Sequence, residues 1–416
     1  MLKTAKSDVR GRQSNTRKPR ILLSVTIAAS VSFFEGHIHA LIHQGYDVAV
    51  ICDDRPSDAL LEGAEYIRVP MKREISLLSD LASLFHAVRA IRRWKPDLIN
   101  TGTPKAGLIM GLAAWICRVP HRIYTCHGLR LETLQGWKRI MLTWSERISG
   151  RAAHQVISVS GSLRQRLIAL GLASADKVKV LHHGSCKGVD ASKFEPSEEL
   201  QAEAAVIRQQ LNIPVEAEII GFVGRQTRDK GLDLLVEAFL RVQAQFPHLY
   251  LLILGNEEEG DPIMDHTKRA IAREPRIISG GYQERLAPFF SLMTMLVLPS
   301  YREGFGNVVL EAGAAGIPVI ASDVTGLKDA VVNGVTGSLV PAGDVERIAD
   351  QIREFILFPL IRQYMGSVAR KRVKEHYNPA DIIAAHEAFY RSMLQSTARG
   401  IRQRELPAER KGETLG

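Results

Sequence analysis

Short apolar runs alternate with longer helical stretches over most of this 416-residue sequence. In the first half, the runs that we predict to be strands are residues 20–26, 47–52, 66–69, 97–101, 122–126, 155–159 and 178–181. The helical stretches between them lie near residues 33–44, 76–94, 104–117, 137–151 and 162–170. This rhythm predicts a parallel sheet, because each parallel strand needs a crossover connection that a helix supplies.

The alternation stops over residues 184–217 and then starts again. The second set of predicted strands comprises residues 218–223, 250–254, 276–279, 295–299, 319–322 and 338–340. The chain is therefore predicted to be an α/β protein with two Rossmann-like, doubly wound parallel-sheet domains. Ligands of such sheets bind beyond the carboxyl ends of the strands, so a cleft between two facing domains is the expected site.

We place the domain boundaries where the composition changes. A basic tail (residues 1–19) precedes an N-terminal domain (20–190), and a C-terminal domain (191–376) follows it. A C-terminal helix (377–396) is expected to pack back on the N-terminal domain, and a charged tail (397–416) ends the chain. Both tails are predicted to be disordered because they are polar and highly charged. An electrostatic tether to anionic lipid is the alternative for the first tail.

The composition narrows the classes of function. A formal net charge of +9 suits nucleic acid, an anionic membrane surface or a phosphorylated substrate. No nucleic-acid recognition motif accompanies the charge, so nucleic acid is not an expected partner. The four cysteines have no metal or redox spacing, which predicts reduced thiols in the cytoplasm. The longest apolar stretch, residues 106–117, is shorter than the roughly 20 residues that span a bilayer.

Two glutamates, Glu303 and Glu311, follow a predicted strand and bracket a turn that contains Gly304 and Gly306. A predicted helix begins close behind this turn. Carboxylates accept hydrogen bonds from hydroxyls, and the N-terminus of a helix favours an anion. The segment therefore suits a ligand with hydroxyls at both ends and an anion in the middle, which is the form of a nucleotide sugar.

The loop after the predicted strand 218–223 contains Arg225 and Lys230. Arginine offers a planar fork for diphosphate oxygens, and lysine offers a point charge. Two solvated surface cations are the alternative interpretation, but the acid-bracketed turn in the same half favours an anion site. The order of residues does not match a Walker loop.

A histidine, His127, follows another predicted strand directly and precedes Gly128. This position at the carboxyl end of a strand predicts a side chain that faces the cleft. A histidine of the core or of the outer surface is the alternative.

Together these segments resemble glycosyltransferase family 4. The residues that carry the resemblance are Gly224-Arg225, Lys230-Gly231, Pro299-Ser300, Glu303-Gly304-Phe305-Gly306, Glu311-Ala312 and Gly316-Ile317-Pro318-Val319-Ile320-Ala321-Ser322. The resemblance covers about residues 20–395. It implies retaining, metal-independent transfer by a GT-B fold, in which the N-terminal domain binds the acceptor and the C-terminal domain binds the nucleotide-sugar donor.

The resemblance also assigns roles to single residues. Arg225 and Lys230 would bind the donor diphosphate, and Glu303 would contact hydroxyls of the transferred sugar. Glu311 would hold the ribose hydroxyls, and His127 would lie near the 6-hydroxyl of the donor sugar and the reacting centre. The remaining donor-binding residues would be Gly224, Tyr282, Gly304, Phe305, Gly306, Asn307 and Val308. Tyr282 would lie in the loop that contacts the base.

A further set of residues resembles the branch of the family that builds bacterial capsule, exopolysaccharide and O-antigen repeats. These residues are Phe33-Phe34, Gly36-His37, Leu41, Gly45-Tyr46-Asp47-Val48, Gly184-Ser185 and Gly188-Val189-Asp190. The turn over residues 27–32 departs from the family pattern because it lacks a Gly-Gly pair. This branch implies a lipid-linked glycan acceptor, a polyprenyl-diphosphate-linked sugar, at the cytoplasmic face of the inner membrane.

The expected reaction moves a hexose or N-acetylhexosamine from a nucleoside-diphosphate sugar, with uridine as the expected base, to an acceptor hydroxyl. The nucleotide sugar is a co-substrate, and neither a metal ion nor another cofactor is expected. Arg225, Lys230 and the helix N-terminus at Asn307 would stabilise the leaving diphosphate. The alternatives are a nucleotide-sugar 2-epimerase of GT-B fold and a non-catalytic GT-B partner subunit.

Positive charge and tryptophan are concentrated in the N-terminal half. Residues 68–95 and 118–151 both contain an excess of lysine and arginine over acids. The tryptophans in the same half are Trp94, Trp115, Trp137 and Trp144. This combination predicts a docking face for an anionic membrane surface. Solvated helix faces above tryptophans of the core are the alternative, and the oligomeric state is not predicted.

Overall fold

The computed structural model describes residues 17–72, 76–258 and 260–405. Its strands are β1 (Arg20–Ser24), β2 (Asp47–Cys52), β3 (Glu65–Arg68), β4 (Leu98–Thr101), β5 (His121–Cys126), β6 (Gln155–Ser158), β7 (Val178–Lys179), β8 (Glu218–Val223), β9 (Leu249–Leu254), β10 (Ile277–Gly281), β11 (Met295–Leu298), β12 (Val319–Ser322) and β13 (Gly337–Val340). Every predicted strand is present, with ends that differ by a few residues.

The α-helices follow the same alternation. They are α1 (His37–His43), α2 (Asp58–Leu61), α3 (Leu77–Trp94), α4 (Pro104–Ile116), α5 (Gly136–Ala152), α6 (Gly161–Ala169), α7 (Glu198–Gln210), α8 (Leu232–Val242), α9 (Asp265–Arg273), α10 (Ala287–Phe290), α11 (Asn307–Ala314), α12 (Leu327–Ala330), α13 (Val345–Leu357), α14 (Pro359–His376) and α15 (Pro379–Glu405). Short 3₁₀ helices are formed by Ala28–Phe34, Arg130–Glu132, Ala191–Phe194 and Arg228–Lys230.

Two parallel sheets confirm the predicted doubly wound architecture. The first has seven strands in the order β3-β2-β1-β4-β5-β6-β7, and the second has six in the order β10-β9-β8-β11-β12-β13. The strand order reverses beside β1 and β4 in the first sheet and beside β8 and β11 in the second. Ligands of open parallel sheets bind at such reversal points. The loops after β8 and β11 contain the two motifs of the C-terminal half.

The apolar runs form strands because helices cover both faces of each sheet and bury every side chain of β4, β11 and β12. The helices present one apolar side to the sheet, as α8 does with Leu235, Val236 and Phe239. None of the helices in the described part of the chain is both long and apolar enough to cross a membrane.

The last helix, α15, crosses to the first sheet. The Asn100 amide on β4 donates a hydrogen bond to the Tyr390 hydroxyl at 2.6 Å, and the rings of His386 and His37 meet edge to face at 4.8 Å. The helix continues to Glu405, nine residues beyond the end predicted for this element at residue 396.

Two further predictions concern the chain ends and the helix near residues 33–44. Residues 1–16 and 406–416 lie outside the described residues, so nothing tests the predicted disorder there. The predicted helix near residues 33–44 is wrong at its start. A 3₁₀ helix, Ala28–Phe34, precedes α1, and Gly36 with a φ of 75° separates the two. Glycine adopts this left-handed conformation without a steric penalty, which ends one helix and starts the next.

Candidate functional site

The two motifs of the C-terminal domain lie side by side because β8 and β11 are neighbouring strands. The loop after β8 ends at Gly231, whose φ is 73°. A β-carbon there would lie 2.1 Å from the carbonyl oxygen of Pro299, which follows β11. We call the loop after β8 (residues 224–231) the cation loop and the loop after β11 (residues 299–306) the acid loop. A glycine is required at position 231 for these two loops to pack against each other.

Lys230 and Glu303 form an ion pair across this junction. The Lys230 Nζ lies 2.5 Å from the Glu303 Oε1, and the hydroxyl of Ser300 donates to the same oxygen at 3.1 Å. Both charged side chains are largely buried, with 17% and 12% of their surface exposed. The fold thus brings together two residues that were proposed separately, and it places them in contact with each other.

Asp229 joins the two loops and was missed by sequence reasoning. Its carboxylate accepts hydrogen bonds from the Thr227 hydroxyl at 2.5 Å and from Arg302 at 2.6 Å, and it forms a longer contact with Arg225 at 3.4 Å. Burial disfavours the ionised carboxylate, but the Thr227 hydrogen bond and the two arginine charges outweigh it and lower the pKa of Asp229. The signal available in the sequence was the position of Arg302, directly before Glu303.

Arg225 lies at the rim of the same site. Its guanidinium donates to Glu258 at 2.6 Å, and 44% of its side chain is exposed. The preceding Gly224 packs against the loop after β9, where a β-carbon at Gly255 would lie 1.9 Å from the Gly224 oxygen. The close backbone packing fixes the start of the cation loop and leaves the arginine fork at the surface of the cleft.

The turn between the two glutamates ends at Gly306, which caps α11 with a φ of 85°. The Asn307 side chain at the start of α11 accepts a hydrogen bond from the Ser185 hydroxyl at 3.0 Å and donates to the Cys186 sulfur. The Phe305 ring is buried against Tyr377, with centroids 5.4 Å apart. Val308 is partly buried against the core. Phe305 and Val308 can therefore offer a ligand chiefly their backbone groups.

Glu311 lies on α11 beneath this turn. Burial raises the pKa of its carboxyl to about 7, the Lys187 ammonium opposes the shift, and the Glu35 carboxylate adds to it. The Nζ of Lys187 is 3.0 Å from Glu35, which belongs to the first domain. The carboxyl of Glu311 therefore changes its charge near neutral pH.

His127 faces this site from the first domain. Its ring stacks on Phe33 with the centroids 4.2 Å apart, and its Nε2 atom is buried with no hydrogen-bond partner among the described residues. Burial, with a smaller effect of His386, lowers the pKa of His127 to about 3. The imidazole is thus neutral at physiological pH. Its Nε2 atom can donate a hydrogen bond to a ligand or accept one from it, depending on the tautomer.

The two domains touch at the acid loop. A β-carbon at Gly304 would lie 1.9 Å from the carbonyl oxygen of His127, and the Ser160 hydroxyl donates to the Gly304 oxygen at 2.8 Å. Nearby, the amide of Gly326 donates to the Ser162 hydroxyl at 2.8 Å. These contacts hold the loop of His127, in the first domain, against the loop of Glu303, in the second.

Tyr282 follows β10 and is 68% exposed. It lies beyond the carboxyl end of a strand of the second sheet, on the loop proposed to contact the base. Its role stays a prediction. In the described residues, the structure shows no group of three or more His, Cys, Asp or Glu side chains arranged to hold a metal ion.

Two protein families match this chain, one in each domain. The family described as "Glycosyl transferase 4-like domain" matches residues 32–184, and the family described as "Glycosyl transferases group 1" matches residues 203–372. The capsular polysaccharide biosynthesis glycosyltransferase CapM of Staphylococcus aureus is 34% identical over 92% of this chain and 99% of its own length.

Two more distant similarities are informative. An Escherichia coli protein named UDP-Gal:alpha-D-GlcNAc-diphosphoundecaprenol alpha-1,3-galactosyltransferase is 24% identical over 78% of this chain and 83% of its own length. The crystal structure of HepE from Anabaena in complex with UDP and glucose superposes with a TM-score of 0.75 at 20% identity, covering 90% of this chain and all of that one. The structural similarity confirms the GT-B fold.

Proposed function

The chain belongs to the family 4 glycosyltransferases of GT-B fold, and from this premise we propose that it transfers a hexose or N-acetylhexosamine from a nucleoside-diphosphate sugar with retention of anomeric configuration. That it is a glycosyltransferase follows from the family. The Lys230–Glu303 ion pair at the reversal point of the second sheet, opposite His127, is the observation that carries the donor assignment. The pair places Lys230, which can bind an anion, next to Glu303, which can bind hydroxyls, so that one nucleotide sugar could contact both.

In the proposed mechanism, cations stabilise the negative charge that develops on the leaving diphosphate. Arg225, Lys230 and the N-terminus of α11 supply positive potential at fixed positions, so little reorganisation is needed as the bond to the sugar breaks. We propose that these groups take the place of a metal ion and that no other cofactor participates. The leaving phosphate accepts the proton of the acceptor hydroxyl, which attacks from the same face.

The other proposed contacts orient the sugar and nucleotide. Glu303 accepts hydrogen bonds from the sugar hydroxyls while Lys230 turns toward the diphosphate. The neutral imidazole of His127 exchanges a hydrogen bond with the 6-hydroxyl, and Glu311 holds the ribose. The contacts around Gly304 keep the domains close, which limits the access of water to the reacting centre.

The substrates are proposed at a finer level from the relatives. HepE was crystallised with UDP and glucose, and the name of the E. coli relative contains both UDP-Gal and a diphosphoundecaprenol acceptor. The name of the S. aureus relative places that protein in capsular polysaccharide biosynthesis. We therefore propose a uridine-diphosphate donor and a polyprenyl-diphosphate-linked acceptor in bacterial surface polysaccharide synthesis. The enzyme would work at the cytoplasmic face of the inner membrane.

One assay tests the reaction. The protein is incubated with labelled nucleotide sugars and a membrane-lipid extract, and the release of nucleotide and the labelling of lipid are followed. We expect both products to appear together. An epimerised nucleotide sugar without labelled lipid would identify an epimerase, and binding without any product would identify a non-catalytic subunit; either result would overturn the proposal.

The donor site is tested by binding. The variants Glu311→Ala and Lys230→Ala should weaken donor binding by about tenfold or more, because each removes one charge-assisted contact. The exposed Lys371, at 75%, gives the matched control Lys371→Ala. Calorimetric titration with UDP-glucose measures the affinity, and circular dichroism checks the fold. Wild-type affinity in both site variants would contradict the assignment.

A further inference from the structure

Large apolar side chains are exposed on three neighbouring helices of the first domain, in which α4 packs between α3 and α5. These residues are Leu78, Leu81, Phe85, Trp115, Ile116, Trp137, Ile140 and Trp144. Trp115, Trp137 and Trp144 are 57%, 66% and 52% exposed, whereas Trp94 is buried at 8%. The alternative interpretation, in which the tryptophans belong to the core, therefore holds for Trp94 alone among the four. We call the exposed side of α3, α4 and α5 the helical face.

On α5 the exposed residues follow the helical period. Trp137, Ile140 and Trp144 are separated by three and four positions, which places them on one side of the helix. Arg147 and Arg151 continue the same stripe toward the end of α5, and the Arg147 guanidinium lies 5.6 Å from the centroid of the Trp144 ring. The stripe thus begins apolar and aromatic and ends basic.

The helix α3 repeats this order. Leu78, Leu81 and Phe85 are exposed in its first half, and the exposed Arg89 and Arg92 follow at helical spacing. Both α3 and α5 begin beyond the carboxyl ends of strands, the edge that faces the cleft. The apolar halves of the two stripes therefore lie toward the cleft, and their basic halves lie away from it.

The charge of the helical face has one sign. The acids within α3, α4 and α5, all of which the structure describes, are Asp80 and Glu146. Asp80 is paired with Lys105, and Glu146 is buried and accepts a hydrogen bond from the Tyr124 hydroxyl. The exposed cations of the two outer helices are Arg89, Arg92, Arg93, Lys138, Arg139 and Arg151. The exposed charge that remains is positive.

We propose that the helical face docks on an anionic lipid bilayer, with Trp137, Ile140, Trp144 and Phe85 in the interfacial region and the arginines over the headgroups. Tryptophan is favoured in the interfacial region of a bilayer, and lysine and arginine are attracted to anionic headgroups. A second copy of this chain is a poorer occupant, because a twofold contact over the whole face would bury its exposed cations without acids to pair them. The inference rests on the proposed function in one respect: a polyprenyl-linked acceptor would lie in such a bilayer, next to the cleft.

A vesicle experiment with the full chain tests the docking. Co-sedimentation is measured with vesicles of phosphatidylcholine alone and of phosphatidylcholine with phosphatidylglycerol. We expect binding to the anionic vesicles and its loss at high salt. The double variant Arg89→Gln, Arg151→Gln, at two exposed cations of the stripes, should bind about fivefold more weakly for each cation removed. The double variant Trp137→Ser, Trp144→Ser should lose most of the binding.

A matched control exists in the second domain, where Leu360 and Tyr364 on α14 are also strongly exposed. The double variant Leu360→Ser, Tyr364→Ser should bind vesicles like the wild type. Intrinsic fluorescence gives a second measurement, because the exposed tryptophans should shift to the blue on anionic vesicles while the buried Trp94 stays unchanged. Most of the shift should disappear in the double variant Trp137→Phe, Trp144→Phe, which leaves Trp115 as the exposed tryptophan of the helical face.

Several results would overturn the docking proposal. They are the absence of vesicle binding, equal binding to neutral and anionic vesicles, an equal loss in the α14 control, and self-association in sedimentation velocity that the helical-face variants abolish. Affinity for UDP-glucose is measured in parallel. A variant that loses vesicle binding but keeps its affinity for UDP-glucose supports the docking surface. If the wild-type protein does not bind UDP-glucose, the proposed function is contradicted, but the vesicle result still stands.

Discussion

Burial moves the pKa of His127 and of Glu311 in opposite directions, and in both cases it favours the neutral form. The pKa of His127 falls to about 3, so its imidazole is uncharged throughout the physiological range. The pKa of Glu311 rises to about 7, so its carboxyl titrates within that range. The two groups therefore differ in how pH should affect them, although both belong to the proposed donor site.

Donor binding should depend on pH through Glu311. Its carboxylate, the form proposed to accept hydrogen bonds from both ribose hydroxyls, is present above the pKa of about 7 and is lost as pH falls. We expect the affinity for UDP-glucose to weaken by up to about tenfold for each pH unit below that value. UDP-glucose is the suitable probe because it has no terminal phosphate that titrates.

The control for this effect is Glu311→Gln, which should bind more weakly at high pH and lose the pH dependence. Calorimetric titration across the range measures both proteins. A pH dependence that survives in Glu311→Gln would assign the effect to another group.

At the scale of elements, the strand–turn–helix unit of β11 and α11 does two tasks. Its turn presents Glu303 to the cleft, and Gly304 in the same turn makes the contact with the first domain. The close approach is possible because glycine lacks a β-carbon. The geometry of the site and the closeness of the domains therefore depend on the same few residues.

The variant Gly304→Ala should separate these tasks. The added β-carbon would lie 1.9 Å from the His127 oxygen, so either the loop or the domain has to move. A displacement of about 1 Å at a reacting centre can cost about 10²-fold in rate, and we expect kcat/KM to fall by that order. Small-angle scattering should show a more open molecule, while circular dichroism should be unchanged.

Gly260 provides the matched control, because a β-carbon there meets nothing within 4 Å. Gly260→Ala should keep the activity and the scattering profile of the wild type. Full activity in Gly304→Ala would show that the contact between Gly304 and His127 is not needed for turnover.

At the scale of the whole molecule, the chain ends in the domain in which it begins. The helix α15 follows the second domain but buries Tyr390 against β4 of the first sheet. Asn100 is buried there as well, and its side-chain oxygen already accepts from the Thr125 hydroxyl at 2.8 Å. The stability of the first domain should therefore depend on a residue remote from it in sequence.

Shortening Tyr390 tests this link. Tyr390→Phe leaves the buried amide of Asn100 without that partner and should lower the free energy of unfolding by about 1–3 kcal/mol. Tyr390→Ala also leaves a cavity and should cost about 3–5 kcal/mol. All four tryptophans lie in the first domain, so tryptophan fluorescence during urea unfolding reports on that domain. Tyr364→Phe at an exposed position is the control and should change little.

Local patterns in the sequence predict the elements, both parallel sheets and the loops that contain the candidate site. Apolar periodicity, glycine and proline act over a few neighbouring residues, so their effects can be read locally. Arg225, Lys230, Glu303 and Glu311 were found because each lies just after a strand or in the helix that follows one. The resemblance to a family then supplied their roles.

Which of these side chains meet depends on how the strands are ordered in the folded sheet. Lys230 pairs with Glu303 and Asp229 pairs with Arg302, each 73 residues away, because β8 and β11 are neighbouring strands. Burial alone separated Trp94 from the exposed Trp137, although both lie in basic helical segments. Contacts between distant residues, and the desolvation that shifts a pKa, arise from the packing of whole elements, and no local pattern of residues encodes them.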